Sequence, residues 1–136
     1  MAELNQGDAI PERKVTPDKY LPHRYAGASS DFNPIHIDPE FAKAVGLPSS
    51  ILHGLWTMAQ VALANTDAAG GDPRALKRLS VQFRGMGFPE QEIVVGGTVK
   101  QVDGTRIVVD TVAEQNGNQI IRNAEAELEL GQLVSS

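Results

Sequence analysis

The sequence predicts an α+β fold, with a curved antiparallel sheet wrapped around one central apolar helix in a single domain over residues 1–136. Three observations carry this expectation. From Leu76 onward the apolar residues recur with a period of two, as in half-buried strands. Asp103-Gly104 and Asn116-Gly117 stand between these segments, and such pairs are favoured in the two-residue turns that join antiparallel neighbours. Ahead of them, Ile51 to Ala64 is apolar around nearly its whole circumference, which marks a helix buried on most sides.

Taken in chain order, Ala9 to Val15 suits one short strand. Thr16-Pro17-Asp18 has the form of a helix start, with Thr16 as N-cap and Pro17 at the first helical position. Pro22 then removes a backbone donor about one turn later and should kink or restart that helix before Gly27. Asp38-Pro39-Glu40 repeats the start signal for a helix from Pro39 to Val45, with Gly46 as its C′ residue and Pro48 just beyond. The apolar helix from Ile51 is ended by Ala68 to Pro73. The strands expected after it are Leu79–Arg84, Ile93–Val102, Arg106–Gln115 and Gln119–Leu130. The last alternates, placing Ile120, Ala124, Ala126, Leu128 and Leu130 on one face, and Ile121, Asn123, Glu125, Glu127 and Glu129 on the other.

Composition narrows the function. The 136 residues suffice for a hydrophobic core without staples, burying roughly two-thirds of the unfolded surface. The absence of cysteine excludes disulfides, thiolate metal sites and cysteine nucleophiles. A net charge of -5 argues against nucleic acid or an anionic membrane as partner. No apolar run suggests a membrane span or a leader, so the expected location is the cytoplasm.

The densest polar cluster runs from Tyr25 to Asp38. Asp31 and His36 lie five residues apart, with Asn33-Pro34 stiffening the backbone between them. A stiff loop that aims a carboxylate and an imidazole at one point is suited to acid–base work on a bound water. Spacing alone leaves a second reading open, in which Asp31 and Asn33 only bond the turn and His36 sits at a helix approach. Asn33 is expected to be a loop scaffold together with Pro34, because an amide does not titrate.

The run Asp31-Phe32-Asn33-Pro34-Ile35-His36, followed after five residues by Ala42, resembles the hydratase motif of the MaoC-like (R)-specific enoyl-thioester hydratases and dehydratases. Ser30 stands where the family usually has glycine. His53-Gly54 and Val81-Gln82-Phe83-Arg84, with Phe88-Pro89 beyond, also resemble the family, although Glu90 stands where its Pro-Gly would continue. The likeness extends from about Val15 to Leu130. It implies the hotdog fold, a dimer with sites near the interface, and reversible hydration of trans-2-enoyl thioesters to (R)-3-hydroxyacyl thioesters. It further implies that Asp31 and His36 activate the added water and handle the C2 proton. By the same resemblance Gly54 offers its backbone N–H to the thioester carbonyl. A helix N-terminus has the unpaired donors and partial positive charge that a developing enolate oxygen needs.

No separate cofactor is implied, since coenzyme A or an acyl-carrier protein forms part of the substrate. The expected assembly is a homodimer, with a heteromeric hotdog partner as the variant in which this chain is the catalytic subunit. A thioesterase on the same fold is the rival activity. Against it, Leu55 to Thr66 contains no Asp or Glu, the residue type such enzymes place by the central helix. Trp56 is expected either to border the acyl channel or to lie in the core. Arg74, Lys77, Arg78 and Arg84 are the one basic concentration, read as a surface cluster or as a contact for the carrier's phosphates, with Arg84 foremost. A metal site from His36, Asp38 and His53 is not expected, and no role is assigned to His53 or to the exposed His23.

Overall fold

The computed structural model describes residues 4–29, 33–47 and 50–130. The elements are β1 (Arg13–Val15), α1 (Leu21–Ser29), α2 (Pro34–Ile37), α3 (Pro39–Ala44), α4 (Gly54–Ala68), β2 (Leu76–Phe83), β3 (Ile93–Asp103), β4 (Arg106–Gln115) and β5 (Asn118–Glu129). The strands form one antiparallel sheet in the order β1-β3-β4-β5-β2. Helix α4 packs against β2, β3, β4 and β5, so the curved sheet encloses it as the hotdog fold requires.

Both expected hairpins form, the β4–β5 turn on Asn116-Gly117 as expected and the β3–β4 turn one residue later than Asp103-Gly104. Gln115 pairs with Asn118, and the intervening Asn116 and Gly117 have φ of 54° and 79°, the two positive values of a type I′ turn. Asp103 pairs with Arg106 across Gly104-Thr105, with Gly104 at φ 61°.

Local starts differ in detail. Helix α1 begins at Leu21 rather than near Thr16, and Pro22 falls in its first turn, where the missing N–H would have had no partner. Asp18 starts it instead, accepting from the Tyr20 N–H at 2.9 Å while paired with Arg24 at 2.7 Å. The hydrogen-bonded guanidinium holds the Asp18 carboxyl below the usual carboxylate range. The segment expected as a stiff loop contains the short helix α2, and Asp38 caps α3 by accepting from the Glu40 and Phe41 N–H groups. The first strand shortens to β1, with Ala9 bridging separately to Thr98, and β2 begins three residues early at Leu76.

Two expectations about faces are corrected. Ile121 was assigned to the polar face of β5, yet it and Ile120 are both buried. Thr111 pairs with Ala124 and Ala113 with Ile121, so β5 spends three residues where β4 spends two. The extra residue forms a bulge near Asn123, whose φ is 48°, and returns Ile121 to the face of Ala124, Ala126 and Leu128. Beyond the bulge the alternation holds, and Glu125, Glu127 and Glu129 pair with Lys100, Arg78 and Arg106 on the outer surface.

Helix α4 is also less enclosed than its apolar circumference suggests. Gln60 and Asn65 are buried, whereas Leu55 and Leu63 are 65% and 42% exposed. The inward polar groups join the helix to the sheet. The Asn65 side-chain amide donates to Val61 O at 2.9 Å and to Thr111 Oγ1 at 3.3 Å, and Thr111 donates to Gly96 O at 2.8 Å. Gln60 accepts from Arg13 Nε at 3.1 Å.

Candidate active site

The site is assembled at the N-terminus of α4 from three separated pieces of chain. The first is α2. Asn33 Oδ1 accepts from the Ile35 N–H at 3.2 Å and Pro34 occupies the first helical turn, so these two residues set where the helix begins. His36, buried on this one-turn helix, has Nδ1 2.9 Å from Ile51 O. A carbonyl only accepts, so Nδ1 carries the proton and donates it. In the neutral ring Nε2 is then the proton-accepting nitrogen.

The second piece is the turn into α4. His53 is buried at the N-cap position and its side chain makes no capping bond to the helix. Its ring stacks on His36 with centroids 3.8 Å apart and planes 20° apart, and Tyr25 closes on its other side at 4.7 Å. His53, stacked on His36 and backed by the tilted Tyr25 ring, restrains the plane of the His36 imidazole. Gly54 opens α4, and its N–H has no hydrogen-bond partner among the described residues. This unpaired donor adds to the positive end of a 15-residue helix. A Cβ on Gly54 would lie 3.2 Å from Phe83 Cε1, so glycine lets the ring and the helix end approach closely.

The third piece is the end of β2 and the segment after it. Phe83, Gly85, Met86 and Gly87 join His36, Leu52, Gly54, Thr57 and Ile120 around a mostly apolar cavity of about 180 Å³. A neighbouring cavity of about 280 Å³ shares Gly54 and Phe83 and reaches Tyr25, Ser29 and His53. The helix end thus stands between two clefts, with one histidine in each.

His36 and Gly54 are therefore brought together, and Asn33 and Pro34 support the helix that carries His36. Asp31, the other expected catalytic residue, lies outside the described residues. Trp56 is half-buried and packs against the core cluster around Leu52, Val61 and Ile93, in keeping with the second of its two expected places, and Thr57 and Phe83 border the cavity. The basic concentration does not form as one cluster. Arg74 pairs with Asp72 and Arg78 with Glu127, and Arg84 instead shares a separate cavity with Arg122. The sequence left His53 without a role and did not point to Tyr25, Thr57 or Arg122 as site residues. Of these, only His53 and Thr57 carried a local signal, flanking Gly54 and lying one helical turn after it. Among the described residues no group of three or more His, Asp or Glu side chains has the arrangement of a metal site.

A profile of the MaoC like domain matches residues 5–123. Over 111 residues the chain is 33% identical to "Enoyl-CoA hydratase 2, peroxisomal" of Arabidopsis thaliana, covering 81% of this chain and 34% of that protein. Among solved structures, a "MaoC-like dehydratase" superposes with a TM-score of 0.88 at 30% identity, over 93% of this chain and 41% of the other. The (R)-hydratase from A. caviae shares the fold with a TM-score of 0.84 at 20% identity, over 96% and 99% of the two chains. The chain thus spans well under half the length of the plant hydratase and of the first of these structures.

Proposed function

The chain belongs to the MaoC-like domain family, and on that premise we propose that it is a hydro-lyase adding water reversibly to trans-2-enoyl thioesters, giving (R)-3-hydroxyacyl thioesters. The observation that carries this reading is the placement of a buried, tautomer-fixed histidine beside an unpaired helix N-terminus in one apolar cavity. The thioester carbonyl oxygen accepts from the Gly54 N–H. As water oxygen bonds to C3, its proton passes to His36 Nε2, and the C2=C3 electrons move onto the carbonyl oxygen as an enolate. The helix end stabilises that charge within a mostly apolar cavity. Delivery to C2 of the proton taken up at His36 Nε2 restores the carbonyl and completes the addition, the water's other hydrogen staying on the C3 hydroxyl. Asp31, by the family motif, shares with His36 the holding of the water and the transfer of that proton.

The rival thioesterase needs an acid by the central helix. The one carboxylate on α4 is Asp67, in its last turn, exposed and 3.7 Å from Arg13, far along the helix from His36. Crotonyl-CoA separates the two activities. A hydratase removes the enoyl-thioester absorbance with the thioester retained and yields the (R)-alcohol, whereas release of free thiol would replace this reading with the thioesterase.

The assembly we propose is a homodimer. Leu55 and Leu63 leave an apolar stripe on α4, Phe83 is 51% exposed beside it, and β2 forms an edge of the sheet with one side unpaired among the described strands. Pairing two copies along this edge would cover all three. Light scattering at micromolar concentration should give twice the monomer mass; an active monomer would overturn the assignment.

Trp56 supplies a further test. Packed against the core, its replacement in Trp56→Ala should lower stability by about 2–3 kcal/mol, less than a fully buried indole, by urea denaturation. The ranking of four-, eight- and twelve-carbon enoyl thioesters should stay unchanged. A shift towards longer chains would put the indole on the channel wall instead.

A further inference from the structure

Five of the seven arginines are spoken for: Arg13, Arg24, Arg74, Arg78 and Arg106 each lie within 4.0 Å of a carboxylate. Arg84 and Arg122 are the two with no carboxylate partner among the described residues, and both line the same cavity, of about 640 Å³. No acidic side chain lines that cavity, in a chain whose net charge is -5. Its other polar walls are neutral amides, among them Gln115, Asn116 and Asn118 at the β4–β5 turn. Two unneutralised guanidiniums in an acid-free cleft of an acidic protein form a site for an anion.

The backbone builds this pair. Arg122 is the cross-strand partner of Gln82, and Arg84 lies two residues beyond Gln82 on β2's continuation, its N–H bonded to Ile120 O at 2.9 Å. All three side chains therefore rise from one face of the sheet. Gln82 Oε1 accepts from Arg84 Nε at 3.2 Å, from Arg84 Nη2 at 3.0 Å and from Asn123 Nδ2 at 3.0 Å. A neutral acceptor orients the Arg84 guanidinium and leaves its charge available. The bulge that places Asn123 at positive φ brings its amide to Gln82 and so takes part in the arrangement.

The cleft adjoins the candidate active site. Gly85, Met86 and Ile120 line both the arginine cavity and the cavity holding His36 and Gly54. We propose that the Arg84–Arg122 cleft binds the phosphate of the thioester carrier, the group adjoining the pantetheine arm in both coenzyme A and a carrier protein. The assignment rests on the thioester reading above. In this arrangement the arm crosses the Gly85–Gly87 segment from the arginines to the reacting carbonyl. The two arginines then contribute to holding the substrate, and the chemical step proceeds without them.

The test compares the protein with Arg84→Gln, Arg122→Gln and the double variant on crotonyl-CoA, crotonyl-carrier protein and crotonyl-pantetheine, which lacks phosphate. Binding of coenzyme A alone is followed by calorimetry. Each single variant should raise KM for the phosphate-bearing thioesters about tenfold, the value of a charge-assisted contact discounted for exposure, with kcat unchanged. Crotonyl-pantetheine should be turned over equally by all four proteins. Equal loss on the coenzyme A and carrier-protein substrates assigns the shared phosphate, and loss on coenzyme A alone assigns the nucleotide's phosphates. Unchanged KM and unchanged coenzyme A affinity in the double variant would overturn the site while leaving the hydratase reading in place. Conversely, coenzyme A binding that weakens in the variants of a protein with no hydratase activity would keep the anion site and remove the hydratase.

Discussion

His36→Ala should lower kcat on crotonyl-CoA by about 10²–10⁴-fold, the usual cost of losing a general acid–base group. The expectation follows from the bond between Nδ1 and Ile51 O, which reserves Nε2 for proton transfer, and from the cavity His36 shares with Gly54. Because the ring is buried and stacked on His53, removing it also disturbs packing. Circular dichroism and a urea melt must therefore show the variant folded before its kinetics are read. Asp31→Asn should lose activity over the same range, and the double variant should fall little further than the worse single one, since two groups serving one water act as a unit. A folded His36→Ala protein with near-normal turnover would remove His36 from the chemistry.

Ile121→Ala should destabilise the protein by about 2–5 kcal/mol, the range for truncating a large side chain in a packed core. Ile121 is fully buried, in the cluster that also holds Leu52, Val61, Ile93 and Val95. The uninterrupted alternation of the last strand would place it beside Glu125 and Glu127, where truncation changes stability by no more than about 0.5 kcal/mol. The urea midpoint, at constant m-value, discriminates the two. A change within the surface range would mean that the bulge at Asn123 does not reset the face.

The site was legible in the sequence to an uneven degree. Asn33, Pro34 and His36 lie within four residues, and their chemistry is local: a capping amide, a helix-starting proline and a titratable ring. Gly54 was singled out by the resemblance of His53-Gly54 to the family, and the helix N-terminus it opens supplies a donor suited to that role. The His36–His53 stack was not, because it joins residues 17 apart whose meeting depends on the Ile51 carbonyl accepting from His36. The arginine cleft was half legible. Arg84 stood out by charge, but its partner Arg122 lies on another strand, and Arg74 and Arg78 belong to separate ion pairs.

What the sequence by itself determined is therefore the fold class, the two hairpins, the helix-starting signals at Asp38-Pro39 and the motif from Asp31 to His36. These depend on backbone preferences of adjacent residues: positive φ at Asn116 and Gly117, the fixed φ of proline, the period of apolar side chains. Only the tertiary structure decided which way β5 faces before its bulge, which side of α4 stays uncovered, and which arginines keep their charge. Each of those is a competition among distant partners. The register of β5 is set by β2 and β4 together, and an extra residue is accommodated where that pairing costs least. The buried amides of Gln60 and Asn65 find cross-element partners on β1 and β4, so a helix apolar by composition turns polar groups inward and leaves Leu55 and Leu63 outside.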